Sequence, residues 1–355
     1  MKRIFTLAIF SLLFMGMSAQ NERYVDEVFA DVDVESDIIY STNVQVLTGS
    51  PLPVDLALDV YTPAGDTESD RPLIKVFHTG NFLPAIVNGQ IHGDKSDPYV
   101  VDMIERLVRR GYVVASINYR LGWNPISPDQ DVRTETLINA AYRGVQDSHA
   151  ATRFFRKSVE EDGNPYGINP DQIVNWGVGT GGYITLGAAT IDDHSDVLLP
   201  KCTNADLTFM VIESVHGDPF GEKMAAINIP NHVGYSNDIN LSVNMGGALG
   251  DTTWLDENDG PLISYAVPSD PFAPYETDFL IVPTTGDLVV EVSGSYDTQR
   301  KANEFGINDV FDLGIYDDAW TAAANETNDG FEGLYPFERP SWDIDMDPST
   351  PEIEE

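Results

Sequence analysis

Cysteine is almost absent from this 355-residue chain: Cys202 stands alone, so no internal disulfide can form. That excludes a small stapled scaffold, and a core of this length needs no staple. Cys202 itself reads as a bland, partly buried residue. Basic residues are scarce as well, with 20 Lys and Arg against 57 Asp and Glu, a net charge of −37. A surface of that sign repels phosphate backbones and anionic headgroups, which disfavours nucleic-acid and membrane-surface binding. The acids are scattered (Asp31, Asp33, Glu35 and Asp37; Glu160 to Asp162; Asp192, Asp193 and Asp196). Scatter of this kind suits solubility in salty water better than a single binding patch. Beyond residue 20 no apolar run approaches the ~20 residues that span a bilayer. The six histidines show neither H-E-x-x-H nor H-x-H spacing, and one cysteine cannot build a thiolate-rich zinc site. EF-hand spacing is missing too. A Mg²⁺ or Ca²⁺ centre assembled from separate aspartates stays open, and no cofactor is implied.

What is present begins with Lys2 and Arg3 ahead of an apolar stretch from Ile4 to Met15, then Gly16, Ser18 and Ala19. This pattern reads as a secretory signal over residues 1–20, too short for a membrane span. Its removal takes away two positive charges and no acid, so −37 becomes −39. The expected location is therefore secreted or cell-envelope, with no membrane insertion after cleavage. Residues 21–42 read as an acidic arm, 43–337 as one domain, and 338–355, with three prolines and seven acids, as a disordered tail. Residues 44–47 and 54–61 form a predicted hairpin, the second strand alternating apolar and polar positions. From residue 72 strands alternate with helices: strands over 72–77, 112–117, 172–176, 207–212 and 261–267, helices over 99–110, 136–158 and 183–189. Such alternation calls for a mostly parallel sheet with helices on both faces. The Gly-, Asn- and Asp-rich stretch 214–260 reads as an insertion or cap over the carboxyl ends of the strands.

Four short motifs then fall in one order. Leu58-Asp59-Val60-Tyr61-Thr62-Pro63 precedes the first parallel strand, and His78-Thr79-Gly80-Asn81-Phe82 follows it directly. Asn118-Tyr119-Arg120-Leu121-Gly122 closes the next strand, and Trp176-Gly177-Val178-Gly179-Thr180-Gly181-Gly182-Tyr183 joins a strand to a helix. These motifs resemble the L-D-V-Y-x-P strand, H-G-G-G-F loop, N-Y-R-L-G stretch and G-x-S-x-G nucleophile elbow of carboxylesterases in the α/β-hydrolase superfamily. The likeness is close over residues 55–190 and looser to about 305. It implies an α/β-hydrolase fold and a pocket around His78, Phe82, Gly177, Gly181, Gly182 and Tyr183. Oxyanion donors would come from the backbone of Gly80 or Asn81 and of Thr180.

The same resemblance exposes two losses. The middle of the elbow, where the family carries its serine, is Gly179, which has no atom to attack a carbonyl. Asp270, in Ser269-Asp270-Pro271, matches the triad acid, or else is an aspartate shaping a turn before proline. The family's histidine follows its acid, yet all six here (His78, His92, His149, His194, His216, His232) precede Asp270. Thr180 and Ser214 are weak substitutes for the nucleophile. The expected protein is a catalytically silent carboxylesterase relative that binds a small, ester-like ligand or a protein partner. The alternatives are an ester hydrolase with an unconventional nucleophile and a structural or adhesive envelope protein.

Overall fold

A computed structural model describes residues 22–47, 49–88, 93–282, 285–314 and 318–337. The signal segment, the acidic tail and His92 lie outside the described residues. Ten strands run β1 Val32–Val46, β2 Pro51–Pro63, β3 Arg71–Phe77, β4 Val113–Ile117, β5 Ile168–Val178, β6 Leu241–Met245, β7 Leu262–Ala266, β8 Asp278–Ile281, β9 Leu288–Val292 and β10 Leu334–Pro336. Eight of them form one sheet in the order β1-β2-β4-β3-β5-β6-β7-β10. The β1–β2 and β2–β4 pairs are antiparallel, and every later pair is parallel. β8 and β9 make a separate hairpin.

The helices are α1 Ala85–Asn88, α2 Pro98–Arg109, α3 Gln130–Glu161, α4 Thr180–Thr190, α5 Glu213–His216, α6 Ser295–Phe305 and α7 Ala319–Ala324. α2 starts on Pro98, whose missing N–H would have had no helical partner. Its stripe of Val100, Ile104 and Val108 covers one sheet face, against Ile74, Val76 and Val114. The opposite face carries α3 and α4, with Leu73, Phe77, Ala115, Phe155, Ile173 and Ile184 between them. Because strand side chains alternate and both sets are buried, β3 and β4 are mostly apolar, interrupted at Lys75 and Ser116, which are buried as well.

One interaction anchors α3 to its neighbours. Arg120 Nε meets Asp147 Oδ1 at 2.8 Å with both side chains fully buried, and Asp147 Oδ2 accepts the Arg120 backbone N–H at 2.8 Å. The guanidinium also donates to the carbonyls of Ile227 and Arg143 and to Gln146 Oε1. A buried ion pair holds its charge only when such bonds satisfy every face. This is the structural work of the Asn118–Gly122 stretch.

The structure corrects three expectations. The arm is shorter than 21–42, because Val32–Val46 is one long edge strand paired with β2. Residues 207–212 form no strand: Leu207 is exposed at φ 69°, a loop conformation, and only an isolated bridge links Thr203 to Phe209. The strand lies instead at Leu241–Met245, inside the stretch read as a cap and inside the central sheet. Nor do residues 214–240 roof the strand ends. They lie along α3 and β1, where Arg153 donates to the carbonyls of Phe220 and Asn231, and Asn43 and Asn228 bond to each other. Arginine side chains satisfy their loop carbonyls, so this polar stretch can pack without regular structure.

Candidate functional site

β5 ends at Val178 and α4 begins at Thr180, so the whole reversal rests on Gly179. Its φ of 55° and ψ of −117° are costly for a residue with a Cβ. The Gly179 N–H donates to Met245 O at 2.8 Å, and its carbonyl accepts from Gly182 N at 2.9 Å. Gly177, Gly181 and Gly182 let α4 lie directly on β5 and on the turn after β6: a Cβ on Gly182 would stand 3.0 Å from Gly247 Cα. The elbow geometry is therefore complete, with its reactive side chain missing.

The space is not empty. A Cβ placed on Gly179 would stand 2.8 Å from Thr79 Cβ and closer still to Thr79 Oγ1. Thr79 occupies the second place of His78-Thr79-Gly80-Asn81-Phe82, where the resembling loop has glycine. The two departures meet in space: the Thr79 side chain occupies the volume that a side chain on residue 179 would need. Each change was visible in the sequence, but their complementarity was missed, since the residues stand far apart along the chain.

The loop around Thr79 is pinned from several sides. Gly80, Asn81 and Phe82 all have positive φ, at 128°, 56° and 52°. Trp123 Nε1 donates to Asn81 O at 2.6 Å, Gly122 N to Phe82 O at 2.7 Å, and Asn88 Nδ2 to Gly80 O at 3.2 Å. His78 is buried, its ring stacked on Tyr119 at 4.5 Å and its Nδ1 against Thr79 O at 2.5 Å. Burial pushes the His78 imidazole below its usual range, so it stands neutral and weakly basic, held as a post by its stacking and its bond to Thr79. Tyr119 OH donates to His78 O at 2.8 Å and lies 3.2 Å from Thr180 Oγ1. Phe82 packs edge-on against the same tyrosine.

Asn81, Phe82, Thr180 and Tyr183 line one side of a cavity of about 480 Å³. Leu137, Ala141 and Val145 of α3 form its wall, and Val289, Val290 and Val292 of β9 form its roof. The roof therefore comes from the β8–β9 hairpin rather than from residues 214–240. Cys202 lies at the cavity's far end, buried, with its thiol pushed up to about 11 by burial, so it is an inert lining group. The Tyr183 hydroxyl is buried without a protein partner, and burial together with the Asp270 charge holds it well above the ordinary phenol range.

The triad does not assemble among the described residues. Asp270 Oδ1 accepts from Phe272 N at 2.7 Å and from Ala273 N at 3.4 Å, closing its own turn. His149, His194, His216 and His232 are not among the cavity's lining residues, and neither is Ser214. His194 and His232 are bonded to the carbonyls of Val211 and Tyr40, and burial pulls the His216 imidazole down to about 4. No group of three metal-ligating side chains converges among the described residues. No helix of the described residues is long and apolar enough to cross a membrane.

The comparison with protein families matches the BD-FAE model over residues 58–301, well over half of the chain. The chain belongs to the BD-FAE family. Membership in this esterase-like α/β-hydrolase family agrees with the strand order and the elbow. No curated protein matches the sequence. Among solved structures, the chain is similar to Thermogutta terrifontis esterase 2 phosphorylated by paraoxon, at 15% identity and TM-score 0.44, covering 86% of this chain and 82% of that one. The propionate-bound form of the same organism's Est2 gives 15% identity and TM-score 0.42, with 89% and 85% covered. A bifunctional GH43-CE protein of Bacteroides eggerthii gives 16% and 0.41, covering 69% of this chain and 31% of that chain. Within the BD-FAE frame, this chain keeps the elbow backbone and the pocket but has Gly179 and Thr79 exchanged in character.

Proposed function

We propose that this BD-FAE family member is silent as a serine hydrolase and uses the elbow cavity to bind a small apolar or ester-like ligand. The observation that carries the reading is Thr79 filling the place from which a side chain on residue 179 would act. Acyl transfer also needs a proton acceptor beside the nucleophile, and loss of one triad member alone lowers turnover by about 10⁴-fold. The lining supports an apolar ligand: leucine, valine and tryptophan side chains dominate, with polar groups gathered near Asn81 and Thr180.

One observation favours the second reading, an active hydrolase with an unconventional nucleophile: Thr79 Oγ1 stands beside the lost serine's position. A single experiment separates the two. Purified protein is treated with a fluorophosphonate probe and, in parallel, assayed for p-nitrophenyl ester turnover. Silence predicts no adduct and turnover equal to a heat-denatured control; an adduct mapped to Thr79 establishes the second reading. Binding is tested with an apolar fluorophore, whose saturable uptake should be lost in Ala141→Trp, a side chain grown into the cavity wall. Unchanged uptake in that variant would refute the site.

We further infer export, motivated by Lys2 and Arg3 ahead of the apolar run from Ile4 to Met15. The amino-terminal sequence of protein recovered from culture fractions tests this. An intact Met1 in the cell interior contradicts it.

A further inference from the structure

We propose that a second cleft, at the amino-terminal ends of β6 and β7, is a binding site for a small hydroxylated ammonium compound. The cleft encloses about 240 Å³ and is lined by His149, Phe220, Ser242, Asp192, Asp238 and Asp259, among others. It lies at the opposite end of α4 from Gly179, with Ala188, Ala189 and Asp192 on its wall. Nothing in the elbow reading depends on it.

Two independent observations meet there. The first is a row of interior polar groups. Lys75, Asn175 and Ser242 sit side by side on β3, β5 and β6 in register. Their side chains, with His149 above them on α3, are nearly or wholly excluded from solvent. Among the described residues, the Ser242 hydroxyl and the Asn175 Oδ1 have no hydrogen-bond partner, and the ring nitrogens of His149 have none of good geometry, with the Asn237 backbone close enough to act on the imidazole. Buried polar atoms without partners are few in folded chains. Here four converge, and two of the residues carrying them line the cleft.

The second observation is the charge of the rim. Asp192, Asp238 and Asp259 face the cleft, with Asp256 and Asp196 close behind. Burial, together with the charges of Asp192, Asp256 and Asp196, pushes the Asp259 carboxyl up to about 7. Asp192 is raised for the same two reasons. Carboxylates held in mutual repulsion are stabilised by an incoming cation.

The deep groups set the rest of the ligand. Burial holds the Lys75 amine and the His149 imidazole well below their ordinary ranges, which leaves the imidazole neutral and disfavours charge on the amine. Lys75 Nζ donates to Ser148 O at 2.9 Å and is bonded to Thr152, while Asn175 Nδ2 donates to Ser148 Oγ at 3.1 Å. Arg153 and Arg156 lie on the same side, with guanidinium nitrogens bonded to the carbonyls of Phe220, Asn231, Pro170 and Ser236. The unmet capacity at depth is an amide oxygen, a hydroxyl and an imidazole, with one Arg153 guanidinium nitrogen also unpartnered, a set suited to hydroxyl groups. A bare metal ion fits less well, because no three ligating side chains converge among the described residues. An ammonium at the rim with hydroxyls reaching inward meets both observations.

The test uses a matched pair of probes on the whole chain: Tris, a protonated amine bearing three hydroxyls, and pentaerythritol, its neutral counterpart. Calorimetric titration at pH 7.5 in low salt should show saturable Tris binding about tenfold or more tighter than pentaerythritol, a gap of about 1.4 kcal/mol. Asp259→Asn should erase most of that preference, and Ser242→Ala should weaken both probes. Circular dichroism establishes that each variant is folded. Should either fail to fold, the imidazole resonances of His149 in the unaltered protein must still move saturably with Tris, at about tenfold lower concentration than with pentaerythritol. Equal affinities, no saturable binding of Tris, or density for water alone after a Tris soak would each overturn the proposal.

Discussion

At the carboxyl ends of the strands the crevice is wide and walled mainly by valine, isoleucine, leucine and tryptophan, with Lys201 and Glu291 as its charged lining residues. At the amino ends a crevice half that volume is lined by an imidazole, a hydroxyl and three carboxylates. The family's reaction belongs to the first place, where a hydrolase concentrates its titratable groups. That place keeps shifted groups of its own, the Cys202 thiol and the Tyr183 phenol, while the second gathers raised carboxylates and a depressed imidazole. The contrast teaches that an elbow with glycine at its centre can still border an open pocket. Thr79 fills the vacated position, and the backbone of the elbow keeps its φ of 55° because Gly177, Gly181 and Gly182 still require close packing.

The largest effect should come from the element that both crevices share. α3 presents Leu137, Ala141 and Val145 to one and His149 to the other, and Arg120–Asp147 fixes it. Arg120→Ala leaves an uncompensated buried carboxylate and should lower stability by about 3–5 kcal/mol in denaturant titration. A smaller loss would mean that α3 is held mainly by its apolar contacts. Next, Gly179→Ser should cost about 2–4 kcal/mol, through the collision with Thr79 and a side chain at positive φ. It should yield no esterase turnover. Adding Thr79→Gly should recover at least ~1 kcal/mol more than the two single effects predict, the signature of contact in a double-mutant cycle. Strict additivity would show that the two positions do not exchange one volume.

The polar crevice offers a pH test. The Asp259 carboxyl titrates at about 7 in the fold, and near the ordinary ~3.9 once unfolded. Between those values the native state keeps a proton that the unfolded chain has lost, so stability falls as pH rises from about 4 to about 7 and stays reduced above. Asp259→Asn removes this penalty. The variant should therefore gain more in Tm over the parent at pH 8 than at pH 5; an equal gain would mean that Asp259 ionises freely. The smallest effect is expected at the loop. Trp123→Phe loses the bond from the indole N–H to Asn81 O and should cost about 1 kcal/mol, with looser uptake of the apolar fluorophore.

The legible parts of this molecule were those whose signals are short in sequence. β3 and β4 are short, mostly apolar runs, α2 carries its i, i+4 stripe, and the elbow's glycines sit within six residues of one another. β6 escaped because Leu241-Ser242-Val243-Asn244-Met245 alternates like a strand with one wet face, amid glycine and asparagine. Ser242 and Asn244 are in fact buried, and Asn244 bonds to Gly247 and Ser295. The stretch 207–212 misled for the opposite reason: it is apolar enough for a strand, but Leu207 points to solvent and Met210 and Val211 anchor a loop.

By itself the sequence determined the superfamily frame, the absence of a side chain at residue 179, and the lack of any imidazole beyond residue 232. It could do so because each is a property of identity and order along the chain. Only the tertiary structure decided that Thr79 faces the centre of the elbow, that β8 and β9 roof the cavity, and that Ser242 and His149 line one polar cleft with Asn175 beside Ser242 in the sheet. Those facts depend on strand register and on helix packing between distant segments, and side-chain volume is conserved across space rather than along the chain.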